Sequence, residues 1–122
     1  MCGIFGLIAK ENSRFTQKTY HKTIDSLFNL SESRGKEAAG IAYRDKDLIK
    51  IIKQPVSASQ MIKTKEYCSL FSSWDKSFPL VSMGHSRLVT NGTQVLHQNN
   101  KPVVKEGIIG IHNGIIVNGH QL

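Results

Sequence analysis

The sequence predicts a single α+β domain, and three observations carry that prediction. Its 122 residues leave room for one hydrophobic core. Apolar runs of strand length recur at residues 2–9, 41–44, 48–54, 80–87 and 107–112, with segments of helical spacing among them. Hydrophobic residues make up 39% and charged residues 20%, a balance that suits a packed globular chain and argues against disorder over the whole length.

Each element has its own signal. Residues 2–9 (CGIFGLIA) form an apolar run closed off by Lys10 and Glu11, which predicts a buried strand at the extreme N-terminus. Over residues 16–32, Tyr20, Ile24, Leu27, Phe28 and Leu30 recur at helical spacing, with Asn12 and Ser13 as cap candidates. The small-residue stretch 33–40 (SRGKEAAG) reads as a loop. Residues 41–44 and 48–54 flank Asp45-Lys46-Asp47 and predict a β-hairpin that ends before Pro55. Ser57 with Gln60 three residues on offers a capping box for a second helix reaching about Trp74, its apolar face carrying Tyr67, Leu70, Phe71 and Trp74. Residues 80–87 (LVSMGHSR) and 107–112 (GIIGIH) are further strands, separated by a polar surface loop over 90–101.

A last short strand is expected at 115–117, with Asn118 capping a helix as the sequence stops. The predicted order is therefore β-α-β-β-α-β-β. An element that starts at the final residues leaves backbone groups and apolar surface without partners, so residues 1–122 read as the N-terminal part of a longer domain.

Composition also narrows the function. Sixteen Lys and Arg against nine Asp and Glu give a net charge of +7. Lysine supplies 12 of those cations, scattered over presumptive helix surfaces such as Lys18, Lys22, Lys63 and Lys65, without the clustered Arg and interleaved aromatics of a nucleic-acid groove. No apolar run approaches the roughly 20 residues of a membrane-spanning helix. The start MCGIFG lacks the ordered regions of a secretory signal, and with only Cys2 and Cys68 present a cytoplasmic, thiol-reduced protein is expected.

Four places can carry chemistry. Removal of Met1 would leave the Cys2 thiol beside a free α-amino group, whose ordinary pKa of roughly 7.7–8.0 suits it to accept a proton near neutrality. The competing reading is an ordinary start with a small buried residue. His112-Asn113-Gly114 presents a side-chain amide and a flexible backbone N–H at a strand end, where together they could donate to a developing oxyanion; a plain Asn-Gly turn would use the same residues. Arg87, also at a strand end, could hold a carboxylate through two parallel hydrogen bonds, or simply be solvated. Cys68 sits among Tyr67, Leu70 and Phe71 and reads as a small packed hydrophobe. The five histidines lack the spacing of a zinc site, so no metal is assigned.

In sequence these segments resemble the class II glutamine amidotransferase domain, the N-terminal-nucleophile glutaminase of glucosamine-6-phosphate synthase, glutamine phosphoribosylpyrophosphate amidotransferase and asparagine synthetase. The resemblance rests on Met1-Cys2-Gly3-Ile4-Phe5-Gly6, Ser33-Arg34-Gly35 with Ala39-Gly40-Ile41-Ala42, Gly84-His85-Ser86-Arg87 with Thr90 and Gly92, and His112-Asn113-Gly114-Ile115-Ile116-Val117-Asn118, in that order. It implies a four-layer αββα sandwich, incomplete here at the C-terminal end, and hydrolysis of glutamine to glutamate and ammonia. The ammonia would pass to a synthase domain or subunit beyond this sequence, with no cofactor for the glutaminase step.

By that likeness Cys2 is the nucleophile, its α-amino group the base, and Asn113 and Gly114 the oxyanion donors of a γ-glutamyl thioester pathway. Arg87 matches the holder of the substrate α-carboxylate, Thr90 a lining residue of the glutamine pocket, and Arg34 a support of the N-terminal site. Departures from the family pattern exist. The segment after Arg87 lacks the Trp and His of the glucosamine-6-phosphate synthase branch. Asn99-Asn100-Lys101-Pro102 matches its loop only through the proline and contributes no site residue. The family's ammonium-binding Asp has no counterpart, since no acid follows Glu106. A non-catalytic fragment or paralogue of the same fold, acting as a binding module, is the alternative.

Overall fold

Strand β4 (Leu80–Arg87) organises the molecule, although it comes late in the chain. The computed structural model describes residues 1–89, 95 and 99–114. Within them β4 lies between β1 (Gly3–Ala9) and β2 (Ala38–Asp45), antiparallel to both, and β3 (Leu48–Gln54) pairs with the far side of β2. The sheet order β1-β4-β2-β3 brings the start of β1, the end of β4 and the start of β2 to one end. There Gly3 pairs with Ser86, and Ala38 with Arg87.

Helix α1 (Gln17–Glu32) packs on one face of this sheet, against β1 and β4. Its 3.6-residue periodicity buries Tyr20, Ile24 and Phe28 completely, as expected from the sequence. Its cap is Thr16 rather than Asn12 or Ser13: the Thr16 hydroxyl accepts from the Thr19 N–H at 3.1 Å. The other layer of side chains comes from alternate sheet positions, including Phe5 and Leu7 of β1, Ala39, Ile41 and Tyr43 of β2, and Leu80 of β4. Polar groups in this layer are paired. The Tyr20 hydroxyl donates to the Leu7 carbonyl at 2.9 Å and bonds the Ser82 hydroxyl at 2.7 Å, while the Ser31 and Ser86 hydroxyls meet at 2.6 Å.

The hairpin forms as predicted around Lys46 and Asp47, with Lys46 in the left-handed region at φ 55. The strand β2 starts earlier than expected, at Ala38, because it must pair with Arg87 of β4. The single second helix is not observed. Two short helices, α2 (Ala58–Met61) and α3 (Lys65–Ser69), take its place. Thr64 interrupts it by accepting the Tyr67 N–H at 3.3 Å, a competing local bond typical of threonine at a helix start. Ser57 makes no side-chain cap. Glu32 at the end of α1 supplies it instead, its carboxylate accepting from the Ser59 N–H at 2.6 Å and the Ser59 hydroxyl at 3.1 Å.

Tyr67, Leu70 and Phe71 are buried as predicted, with Trp74 half-buried against Tyr20. Cys68 is not: it is exposed on α3, its thiol directed to the Ile62 carbonyl at 3.7 Å. It neighbours the core residues in sequence but faces away from them.

A second, two-stranded ribbon joins β5 (Val103–Lys105) to β6 (Ile108–Gly110). Strand β6 is shorter than the expected 107–112, and β5 was not foreseen. Positive φ at both Glu106 (49) and Gly107 (81) gives the reverse turn that suits a twisted ribbon. Gly107 and Ile109 lie near Ala42, Val81 and Met83, so the ribbon covers part of the sheet face opposite the helices. Among the described residues the class is thus α+β, with helices on one sheet face and a ribbon on the other. The strand expected at 115–117 and the Asn118 cap lie outside the described residues. No helix among the described residues is long and apolar enough to cross a membrane.

Candidate active site

The convergent end of the sheet holds Cys2, Arg34, Arg87 and Asn113. Cys2 precedes β1 directly and is half-buried. Its backbone N–H donates to Asn113 Oδ1 at 3.0 Å, joining residues 111 positions apart. Its thiol lies 3.6 Å from the Leu88 carbonyl, just past β4. The Cys2 carbonyl accepts from Arg34 Nε at 3.4 Å. Three of the segments singled out in the sequence therefore meet at one residue.

Local packing fixes this meeting point. Gly35 is buried where the loop after α1 presses on the end of β4; a Cβ there would lie 2.3 Å from the Arg87 carbonyl carbon and 2.4 Å from the Leu88 nitrogen. No larger residue fits, so Gly35 lets Arg34 approach the N-terminus. The Glu37 N–H then donates to the Arg87 carbonyl at 3.2 Å and leads the chain into β2. A cleft of about 460 Å³ opens beside these residues, lined by Met1, Arg34, Gly35, Lys36, Glu37 and Leu88.

Arg87 is not a solvated arginine. Only 6% of its surface is exposed, and Nη1 donates to Asn100 Oδ1 at 2.8 Å. Asn100 is itself buried, and its backbone carbonyl accepts from Lys53 Nζ at 3.3 Å. The expectation that the 99–102 segment contributes nothing to the site is thereby corrected. The segment crosses the sheet at Gly40, where a Cβ would sit 1.9 Å from the Lys101 carbonyl oxygen. Sequence reading missed Asn100 because its role depends on a chain crossing that leaves no local pattern.

His85 precedes Arg87 on β4. In a strand, residues two apart share a face, so His85 accompanies Arg87. His85 is 2% exposed and pairs with Ile4 on one side and Gly40 on the other. Burial, with the nearby Lys101 and Arg87 charges adding to it, pulls its pKa down to about 4, against an opposing hydrogen bond to the His112 backbone. The ring is therefore neutral at ordinary pH. Lys53 is lowered too, first by burial and then by Lys101. Gly114 is exposed and sits beside the His112 ring. Thr90 lies outside the described residues. No cluster of three potential metal ligands occurs among the described residues.

The chain is similar in sequence to several known proteins. The chain is 34% identical over its full length to an amidophosphoribosyltransferase from Methanocaldococcus jannaschii, of which it covers 24%. It is 33% identical over 97% of its length to a glutamine–fructose-6-phosphate aminotransferase from Listeria innocua, covering 17% of that protein. It is 29% identical over its full length to the enzyme of that name from Buchnera aphidicola, covering 18%. No protein-family model and no solved structure matches the chain.

These likenesses are consistent with a fragment of a class II glutamine amidotransferase. Within that class it is similar to the N-terminal regions of amidophosphoribosyltransferase and glutamine–fructose-6-phosphate aminotransferase, and it spans about a quarter or less of the relatives' length.

Proposed function

We propose that this chain carries the nucleophile half of a glutaminase site, releasing ammonia from the side-chain amide of glutamine. One observation carries the reading: the hydrogen bond between the Cys2 nitrogen and Asn113 Oδ1, which brings the N-terminal residue to the His-Asn-Gly strand end. With Met1 removed, that nitrogen becomes an α-amine. It still has a hydrogen for Asn113 and, when neutral, a lone pair to take the thiol proton. The thiolate attacks the amide carbon of glutamine.

Because Asn113 Oδ1 faces Cys2, the Nδ2 amide group is the end available to the tetrahedral oxyanion, with the Gly114 N–H as second donor. Collapse of that intermediate expels ammonia, protonated by the ammonium of Cys2, and leaves a γ-glutamyl thioester that water opens. Arg87, set by Asn100, holds the substrate α-carboxylate, with Thr90 lining the pocket. Arg34 steadies the Cys2 carbonyl. Ammonia then passes to a synthase domain or subunit, in keeping with relatives that extend well past the matched region. The reaction is placed in the cytoplasm.

The test pairs the intact mass of the mature full-length protein with a glutaminase assay. The expected result is a chain that starts at Cys2 and hydrolyses glutamine. An active protein that still carries Met1 would exclude the α-amine as base.

A further inference from the structure

We propose that Lys53 is a positioning residue for this site: it grips the segment that crosses the sheet at Gly40 and so fixes Asn100, the amide that aims Arg87. The proposal rests on the glutaminase reading above, in which Arg87 holds the substrate α-carboxylate, and adds the strand-borne group that keeps that arginine aimed.

The sheet register puts the participants on one face. A Cβ on Gly40 would lie 1.9 Å from the Lys101 carbonyl oxygen, so the side-chain direction at Gly40 marks the face on which residues 99–102 cross. Lys53 of β3 pairs directly with Gly40, and directly opposed residues present their side chains to the same face. On the other side of Gly40 stands His85 of β4, and Arg87 lies two residues further along that strand, again on the same face. The crossing segment is therefore flanked by Lys53 and Arg87. Asn100 bonds to both: its backbone carbonyl accepts from Lys53 Nζ at 3.3 Å, and its Oδ1 accepts from Arg87 Nη1 at 2.8 Å.

The chemistry of the two bonds suits this task. Strand β3 is paired with β2 along its length, whereas Asn100 lies in an irregular stretch ahead of β5; Lys53 ties the second to the first. Lys53 pairs with no carboxylate among the described residues, and Lys101 close by carries a like charge. A long side chain with a charged head would turn from such a place to water unless the carbonyl held it, and an ammonium-to-carbonyl bond is of the stronger, charge-assisted kind. At the other end, the acceptor that Asn100 presents to Arg87 is an uncharged oxygen. It directs the guanidinium without neutralising it, which leaves the charge for a substrate carboxylate.

The experiment is a double-mutant cycle on glutamine hydrolysis by the full-length protein. Lys53→Met keeps the aliphatic stem and removes the ammonium; KM for glutamine should rise about fivefold while kcat stays within about twofold. Lys53→Arg, which keeps a cationic donor, should bring KM back to within about twofold of wild type. Asn100→Ala loses Oδ1 but keeps the carbonyl, and should raise KM about tenfold. Adding Lys53→Met to Asn100→Ala should then change KM by no more than about twofold, because the link to Arg87 is already cut. An unchanged KM in Lys53→Met would overturn the proposal. So would an about fivefold rise that persists in the Asn100→Ala background, the mark of a lysine that merely adds positive potential. Should Lys53→Met not fold, Lys53→Gln, shorter and uncharged, takes its place in the cycle. Nitrogen NMR of the Arg87 guanidinium, assigned by its loss in Arg87→Lys, gives a readout that needs no turnover: rotation about the Cζ–Nη bonds should be slow in wild type and Lys53→Arg and faster in Lys53→Met. The same rotation rate in all three would overturn the positioning role. Absence of glutamine turnover in the wild type would instead overturn the glutaminase reading, and the guanidinium spectrum tells the two failures apart.

Discussion

The two faces of the four-stranded sheet are built on different principles. The helical face is closed: Tyr20, Ile24, Phe28, Ile41, Met61, Tyr67 and Leu80 are fully buried, and its ring pairs, such as Phe5 edge-on to Phe28 at 4.7 Å, interlock. The opposite face is divided. One end carries the buried His85 beside Arg87, Asn100 and Lys53, the last three joined by directed hydrogen bonds. Along the rest, Ile4, Ile8 and Ile49 remain 48%, 68% and 45% exposed. Stability thus resides on one face and the candidate chemistry on the other, so substitutions on the two faces should separate cleanly into losses of folding and losses of turnover.

The largest effect tests that division at the two cysteines. Cys2→Ala should abolish glutaminase activity in the full-length protein, whereas Cys68→Ala, at an exposed site on α3, should leave it nearly unchanged. Comparable losses in two folded variants would erase the distinction. On the helical face, Phe28→Ala should cost about 3–5 kcal/mol of unfolding free energy, measured in denaturant, with kcat per folded molecule preserved. A matching fall in kcat would mean that the faces are coupled.

Within the polar face the roles divide again. Asn113→Ala should lower kcat roughly 10²–10³-fold with little change in KM. Arg87→Lys keeps the charge but loses the planar fork and its fit to Asn100, and should chiefly raise KM for glutamine, by about tenfold. The same kinetic pattern in both would collapse the assignment. The smallest effect belongs to neither face: Lys46→Ala breaks the exposed Lys46–Asp75 pair at 2.8 Å and should leave the denaturant midpoint of unfolding essentially unchanged.

What could be read in the sequence followed the same division. Periodicity of 3.6 over residues 16–32 identified the buried stripe of α1, because burial repeats along an element and so leaves a pattern. The Asp45-Lys46-Asp47 hairpin was legible for a similar reason: its turn is local. The broken second helix was not, since the carboxylate that caps α2 comes from Glu32, 27 positions away. Cys68 was misjudged because sequence neighbours on a helix do not share a face. On the polar face, Cys2, Arg34, Arg87 and Asn113 could be nominated by residue type and resemblance. Asn100 escaped because its bond to Arg87 arises from a chain crossing, which has no period.

The bond from the Cys2 nitrogen to Asn113 also has a consequence for biosynthesis. The first of these residues leaves the ribosome well before the second exists. At about 5–20 residues per second, the 111 residues from Gly3 through Asn113 take on the order of 5–20 s to make. The partners that engage Cys2, namely Arg34, Leu88 and Asn113, arrive one after another during that interval. Met1 itself stays 75% exposed in the folded chain, so its removal, which the proposed chemistry requires, is open both during synthesis and after the last of those arrivals.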